Sequence, residues 1–381
     1  MNTFVTPLGE FTLNRYPVQK DEQLRAWDAA DEYLLSQLHE QQLLTKATNI
    51  LILNDSFGAL SISLASHNPI SISDSYISQQ AIKKNAECNQ IAPEKITIQD
   101  SLQPLNNIFD AVLIKVPKNL AMLEDELFRI RENCNENTVI LAGGMTKHIH
   151  TSTLQLFERI IGPTQSTLAR KKSRLIVSEF DASLNSGKSP YPSEYMNDVT
   201  GDAYLNHANV FSREKLDIGS RFMLEHLPQS PHYQHILDLA CGNGVLGIAA
   251  ARKNPQAQVS FFDESFMAVA SAKDNVQQLL INHDKTDSTR FEFKVTDCLH
   301  SIENNSLDLI LNNPPFHQQH VVGDFVAWQM FKESKEKLRS GGELWIVGNR
   351  HLGYHIKLKR LFGNCQTIAS NNKFVILKSL K

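Results

Sequence analysis

Asn313-Pro314-Pro315-Phe316 closes the apolar run that begins at Leu307. The Asn313 side-chain oxygen and the Pro314 carbonyl are two hydrogen-bond acceptors set close together, and together they can take both hydrogens of a planar amino group. An exocyclic amine on an aromatic base is a weak nucleophile because its lone pair is delocalised into the ring. Holding both hydrogens favours a pyramidal nitrogen with its lone pair directed outward, and that interaction is stronger in the transition state than in the ground state. The prolines stiffen the turn and bring no N–H to compete for the acceptors. Phe316 offers a face on which a base can stack, worth about 1 to 3 kcal/mol. The plain structural reading of the same residues is a Pro-Pro turn after a strand, with an Asn cap and a core Phe.

A second segment, Asp238-Leu239-Ala240-Cys241-Gly242-Asn243-Gly244, lies well upstream, between the apolar run Ile236 to Leu239 and a helical pattern from Val245 to about Lys253. Gly242 and Gly244 allow positive φ and close approach of the backbone to a ligand, while the amides at a helix start point toward whatever is bound. Gly242-x-Gly244-x-x-Gly247 is formally a dinucleotide fingerprint, with Asp263 at a suitable distance beyond it. Asp238 argues against a pyrophosphate, because its carboxylate would face the phosphates, and suits a ligand that carries an ammonium and a sulfonium. Asp263, at the end of Ser260-Phe261-Phe262-Asp263, can accept from both hydroxyls of a ribose. Asp297, after the next apolar run, can accept from an adenine amino group, although either acid could instead be a solvated strand end. The expected cofactor set is therefore Asp238, Ala240, Cys241, Gly242, Asn243, Gly244, Asp263, Asp297 and Asn313, around S-adenosyl-L-methionine. The expected catalytic set is Asn313, Pro314 and Phe316.

These loops need strands to present them. Short β-like runs alternate with amphipathic stretches at Ile50 to Leu53, Ile70 to Ile72, Ile96 to Ile98, Ala111 to Lys115, Val139 to Ala142 and Leu175 to Val177. The alternation returns at Ile236 to Leu239, Val259 to Phe262, Phe291 to Val295, Leu307 to Leu311, Leu344 to Val347 and Phe374 to Leu377. It signals an α/β fold with mostly parallel sheets flanked by helices. Residues Lys20 to Gln42 have helical spacing, with Leu24, Trp27, Ala30, Tyr33, Leu34 and Leu38 three or four apart. The stretch 181–202 is rich in Ser, Asn, Gly and Pro and reads as a linker between a domain over 1–180 and one over 203–381.

The halves are one pattern written twice. Gly58 to Ile62 falls on Gly244 to Ile248, Ser73-Asp74-Ser75 falls near Phe262-Asp263-Glu264, Asp110 to Pro117 lies on Asp308 to Pro315, and Glu158 to Gly162 matches Lys359 to Gly363. Where the second half has Asp238, Gly242 and Asn313, the first has Ile52, Ser56 and Lys115. The first half thus reads as a degenerate copy, its lysine having no acceptor to offer an amine and a charge that would repel a sulfonium.

The chain has 381 residues, enough for two cores, and 38 Lys and Arg against 41 Asp and Glu, a formal charge of -3 that implies no general attraction to nucleic acid. Phosphate contacts would have to come from local clusters such as Arg170-Lys171-Lys172-Ser173-Arg174 and Lys357-Leu358-Lys359-Arg360, which a solvated face explains as well. Five scattered cysteines without close pairing point to reduced thiols in the cytoplasm. There is no apolar run of about 18 residues to cross a membrane. The pairs His351 and His355, His148 and His150, and His317 and His320 lack clustered cysteines or carboxylates, so no metal is expected.

The motif and its setting resemble the bacterial ribosomal RNA guanine-N2 methyltransferases of duplicated fold. Further likeness lies in His207 to Arg213, Leu216 to Phe222, Phe316 to His320 and Asn371 to Phe374. Ala240-Cys241 departs from the Gly-Cys pair commoner in that family. The resemblance covers nearly the whole chain. It implies two tandem Rossmann-like class I methyltransferase domains with seven-stranded sheets, a cytoplasmic monomer, and methyl transfer to N2 of a guanine in 23S rRNA, with 16S rRNA as the alternative. From other classes, a non-catalytic rRNA-binding assembly factor and a nicotinamide oxidoreductase remain in competition.

Overall fold

Each half folds its apolar runs into a seven-stranded sheet, and both sheets share the spatial order 3-2-1-4-5-7-6 when strands are numbered along each half. The computed structural model describes residues 2–18, 22–44, 49–315 and 320–381. The chain divides into two units, Met1–Tyr191 and Pro192–Lys381. In both sheets strand seven runs antiparallel to its neighbours, strands five and six, and the remaining pairs are parallel. A parallel sheet needs cover on both faces, which is why central strands such as Ile50–Leu53 and Leu307–Asn312 are buried along their whole length.

In the second unit the strands are His235–Leu239, Gln258–Asp263, Phe291–Val295, Leu307–Asn312, Leu338–Asn349, Gln366–Ser370 and Phe374–Leu380. Alternate side chains divide between two cores. Ile236, Leu309, Leu311, Trp345 and Val347 face the helices Ile218–Leu224, Val245–Lys253 and Phe266–Val276. Leu237, Ile310, Leu344 and Ile346 face the helices His320–Lys337 and Tyr354–Phe362. The chain thus leaves strand one toward one face and strand four toward the other, which opens a crevice beyond their carboxyl ends, where open α/β sheets bind ligands. Leu239 pairs with Asn312, so the loop beginning at Ala240 leaves the sheet beside Asn313.

The first unit repeats this plan with helices Ala29–Glu40, Ala59–Ser63, Tyr76–Cys88, Leu120–Arg131 and Thr151–Ile160. The helical spacing read over Lys20 to Gln42 is realised only from Ala29. Asp28 caps that helix, accepting from the backbone of Ala30 and Asp31, while Asp31 accepts in return from the Asp28 N–H, and this reciprocal cap fixes the start. Leu24 stays outside the helix and exposed. Lys20 lies outside the described residues.

The boundary between the two units, after Tyr191, falls within the stretch read as a linker, but that stretch is partly built. Ser189 and Tyr191 bond to Asp125 and Glu124 in the first unit. Ser193–Met196 is a strand of the second unit, paired antiparallel with Ala203–Asn206.

Gly247 sits where its helix crosses strand two, and an added Cβ would come within 2.3 Å of the Phe261 ring. Gly247→Ala should therefore cost about 1 to 3 kcal/mol through overpacking, read as a lower melting temperature. Adding Phe261→Leu should recover part of the loss. An unchanged melting temperature for the single variant would contradict this close packing of helix on strand.

Candidate active site

Asn313 is the first residue beyond strand four, and its side chain follows Leu309 and Leu311 onto the face covered by the helix Ile218–Leu224. Asp217 caps that helix, its Oδ2 accepting the Ser220 N–H at 2.8 Å. The Asn313 Nδ2 donates to the same Oδ2 at 3.1 Å and to the Ser220 Oγ at 2.9 Å. A carboxylate can only accept, so the nitrogen side of the amide must face Asp217 and the oxygen side must point the other way. That oxygen, Oδ1, is buried and has no hydrogen-bond partner among the described residues. A buried acceptor left unsatisfied costs free energy, about 1 to 3 kcal/mol, and marks a place where a donor is missing. Gly219 permits the tight approach, because a Cβ there would meet the Asp217 carboxylate at 3.0 Å and the Phe374 ring at 3.3 Å.

The glycine loop and the helix that follows it are held by two carboxylates. Asp238, fully buried at the end of strand one, accepts the Gly247 N–H at 2.7 Å. Asp263 accepts the N–H of Gly242 and of Ser265, each at 3.0 Å, and so ties the loop to the end of strand two. Ala240, Gly242 and Gly244 all have positive φ, at 58°, 54° and 82°. Ala240 thus occupies the left-handed region that favours glycine, the physical meaning of its departure from the Gly-Cys pattern. At Gly242 an added Cβ would meet nothing within 4 Å, so this side of the loop opens outward.

The other loop residues separate in role. The Asn243 side chain turns inward, donating to the Asn206 side chain at 2.9 Å and the Tyr195 hydroxyl at 3.3 Å, while its carbonyl accepts from Asn275 at 3.0 Å. It braces the loop against the hairpin, and its backbone rather than its amide lines the loop. Burial holds the Cys241 thiol well above its ordinary range, with the Asp263 and Asp238 carboxylates adding to the effect, so it is a neutral filler. Asp297 lies beyond strand three, its Oδ1 accepting from Gln329 at 3.3 Å, while its buried Oδ2 has no partner among the described residues. Pro314 is buried, and Phe316 lies outside the described residues.

Residues 1–182 match the family described as RLMG N-terminal domain, and residues 203–378 match the family described as Methyltransferase small domain. A Serratia proteamaculans protein named ribosomal RNA large subunit methyltransferase G is 51% identical over 373 residues, covering 98% of this chain and 96% of its own. Proteins of the same name from Pseudomonas aeruginosa and Streptomyces coelicolor are 48% and 44% identical, with at least 99% of both chains covered in each case. The chain belongs to the ribosomal RNA large subunit methyltransferase G family. Among solved structures, a T. thermophilus 16S rRNA N2 methyltransferase in complex with AdoMet and guanosine superposes with a TM-score of 0.77 at 18% identity, covering 100% of this chain and 97% of its own. That likeness carries the fold, two tandem class I methyltransferase domains.

The first half of this family member differs from the sequence reading in two respects. Its loop has not lost an acid: Asp55, three residues beyond Ile52, accepts from the backbone of Gly58, Leu60 and Ser61 at 2.7 to 3.0 Å and from the Ser61 hydroxyl. The helix-start amides that a ligand would use are thereby capped from within. Nor is Lys115 a free positive charge. It pairs with Asp28 and Asp31, each at 2.7 Å, and those residues hold the helix-cap positions that Asp217 and Ser220 hold in the second half. The basic cluster is also partly committed, with Arg170 near Glu40 at 3.3 Å and stacked over Tyr33, and Lys171 on Glu32 at 2.6 Å. Such exposed pairs are worth little and can yield to phosphate. No described helix is long and apolar enough to cross a membrane.

Asp238 leaves a signature in stability. Burial, opposed by the Gly247 bond and reinforced by Asp263, pushes its carboxyl up to about 8 from an ordinary 3.8. A folded-state value above the unfolded one means a contribution that is complete below about pH 4 and lost as pH rises through about 8. In ligand-free protein, Asp238→Asn should flatten the decline in melting temperature over that window relative to the parent. Equal slopes for the two proteins would contradict the assignment.

Proposed function

We propose that the second unit transfers a methyl group from S-adenosyl-L-methionine to the exocyclic N2 amine of a guanine in 23S rRNA. The observation that carries this reading is the unsatisfied Asn313 oxygen, fixed in direction by Asp217 and Ser220 at the mouth of the glycine loop. The names of the relatives support rRNA of the large subunit as substrate. We also propose that the chain acts as a monomer in the cytoplasm, where its five free thiols stay reduced.

The residues fit the cofactor at three points. Asp238 is costly to ionise where it stands, and a neighbouring cation would restore its charge. The loop Ala240 to Gly244 is open at Gly242, and the Asp263 carboxylate stands beside it at the end of strand two, a position suited to ribose hydroxyls. The orphaned Asp297 oxygen suits an adenine amine. When bound, the cofactor supplies an electrophilic methyl group on a sulfonium. The chain does the rest by position. Asn313 Oδ1 accepts one amine hydrogen and the Pro314 carbonyl accepts the other, so the nitrogen lone pair turns toward the methyl carbon. Asn313 cannot take up a proton at neutral pH, so the hydrogen displaced from the alkylated nitrogen leaves to solvent. We assign Phe316 as the face on which the base stacks. The first unit has its loop amides and its lysine satisfied internally, which supports a role in holding rRNA rather than in chemistry.

Asn313→Ala should lower kcat on the order of 10²- to 10³-fold, as loss of one oriented transition-state contact does, while calorimetry shows a far smaller loss of affinity for S-adenosylmethionine. Mass mapping of 23S rRNA from cells lacking the protein should reveal one guanine without its N2 methyl group, restored by the parent and not by Asn313→Ala. Full activity of the variant would remove the acceptor role, and a change confined to 16S rRNA would overturn the substrate.

A further inference from the structure

Asn313 Oδ1 is not alone at this end of the sheet. Asn349 ends strand five, next to strand four, and its Oδ1 is likewise buried without a hydrogen-bond partner among the described residues. The two side chains share a face: Trp345 and Val347 on strand five point into the same core as Leu309 and Leu311 on strand four, and Asn349 and Asn313 continue those alternations. Strands four and five pair Leu311 with Trp345 and Asn312 with Ile346, which sets Asn313 level with Val347 and Asn349 two residues further out. With strands about 4.8 Å apart and a rise of about 3.3 Å per residue, the two Cα atoms are roughly 8 Å apart. That is within reach for two asparagine side chains converging on one planar ligand. Asn349 also pairs with Phe374, whose ring packs against Gly219 at the helix cap that orients Asn313.

Two unsatisfied acceptors on one face call for a ligand with two neighbouring donors. Guanine is the base whose pairing edge presents an exocyclic amine beside a ring N–H; adenine offers an acceptor at the ring position, and cytosine does likewise. Resting on the guanine reading above, we propose that Asn349 is a specificity-determining residue whose side-chain oxygen accepts the ring N1–H of the guanine whose N2 amine is held at Asn313. A base without that hydrogen leaves the Asn349 oxygen buried and unpaired, which is how a hydrogen-bonding site rejects an analogue.

The test uses the full chain, S-adenosylmethionine, and an rRNA fragment carrying either guanine or 2,6-diaminopurine at the mapped position. Diaminopurine keeps the N2 amine and has no N1–H. The parent should favour guanine in kcat/KM by at least about 10²-fold, within the range such sites reach. Asn349→Leu, close in size and without an acceptor, should bring the ratio to within about tenfold, and Asn349→Asp, which keeps an acceptor oxygen, should retain most of the preference. Because the comparison is a change in ratio between variants, any contact to the base's O6 cancels. Should Asn349→Leu fail to fold, as shown by lost S-adenosylmethionine binding, Asn349→Ala and Asn349→Asp decide, with only the aspartate preserving the preference. An undiminished guanine preference in a folded variant lacking the acceptor overturns the proposal while leaving guanine methylation intact. Failure of the parent to methylate N2 of guanine at all would instead remove the reading on which it rests.

Discussion

A single amide is locked in direction by a helix cap. Asp217 accepts from the Ser220 backbone to start the helix Ile218–Leu224 and from the Asn313 side chain to orient it, so one carboxylate oxygen serves both the fold and the site. If the cap shifts, the amide loses its reason to point its oxygen outward. Gly219 and Phe374 set the closeness of that cap to the sheet, and the burial of strand four sets the height at which Asn313 emerges. The unsatisfied oxygen is a local cost at the position proposed to hold the amine, and such costs collect at functional positions.

The first half shows the same geometry with its polar groups paired internally. Its strand-four terminus is Lys115, its helix cap supplies Asp28 and Asp31, and the three form a closed ion cluster in place of an amide with a spare oxygen. Its loop amides are bonded to Asp55. In each case a group that would have met a ligand is satisfied by the protein itself. The fold persists because the sheet and its covering helices do not depend on those groups, and the strand order is the same in both halves.

Much of this was legible in the sequence because apolar runs dictate buried parallel strands, and because two copies read against each other fix which position answers to which. The candidate site residues were placed at strand ends by the same logic. The partners of Asn313 did not: Asp217 and Ser220 lie 96 and 93 residues away in the chain, and their only local sign is an Asp-x-x-Ser capping spacing before an apolar helix. The inward turn of Asn243 depends on a hairpin whose strand Ser193–Met196 reads as linker composition. The capping role of Asp55 was hidden for a related reason, since aligning Ile52 with Asp238 suggests that an acid is missing when it has moved three residues along. Spacing reveals what an element is, whereas tertiary contact decides which way its polar groups face.

The most direct test of the account is a crystal structure of the full chain with S-adenosylhomocysteine and an rRNA fragment containing the target guanine. The account predicts the guanine N2 within about 3 Å of Asn313 Oδ1, with the Asn313 Nδ2 still on Asp217 and Ser220. An amide rotated to present its nitrogen to the base, or a base bound with its N2 beyond hydrogen-bonding reach of that oxygen, would contradict it.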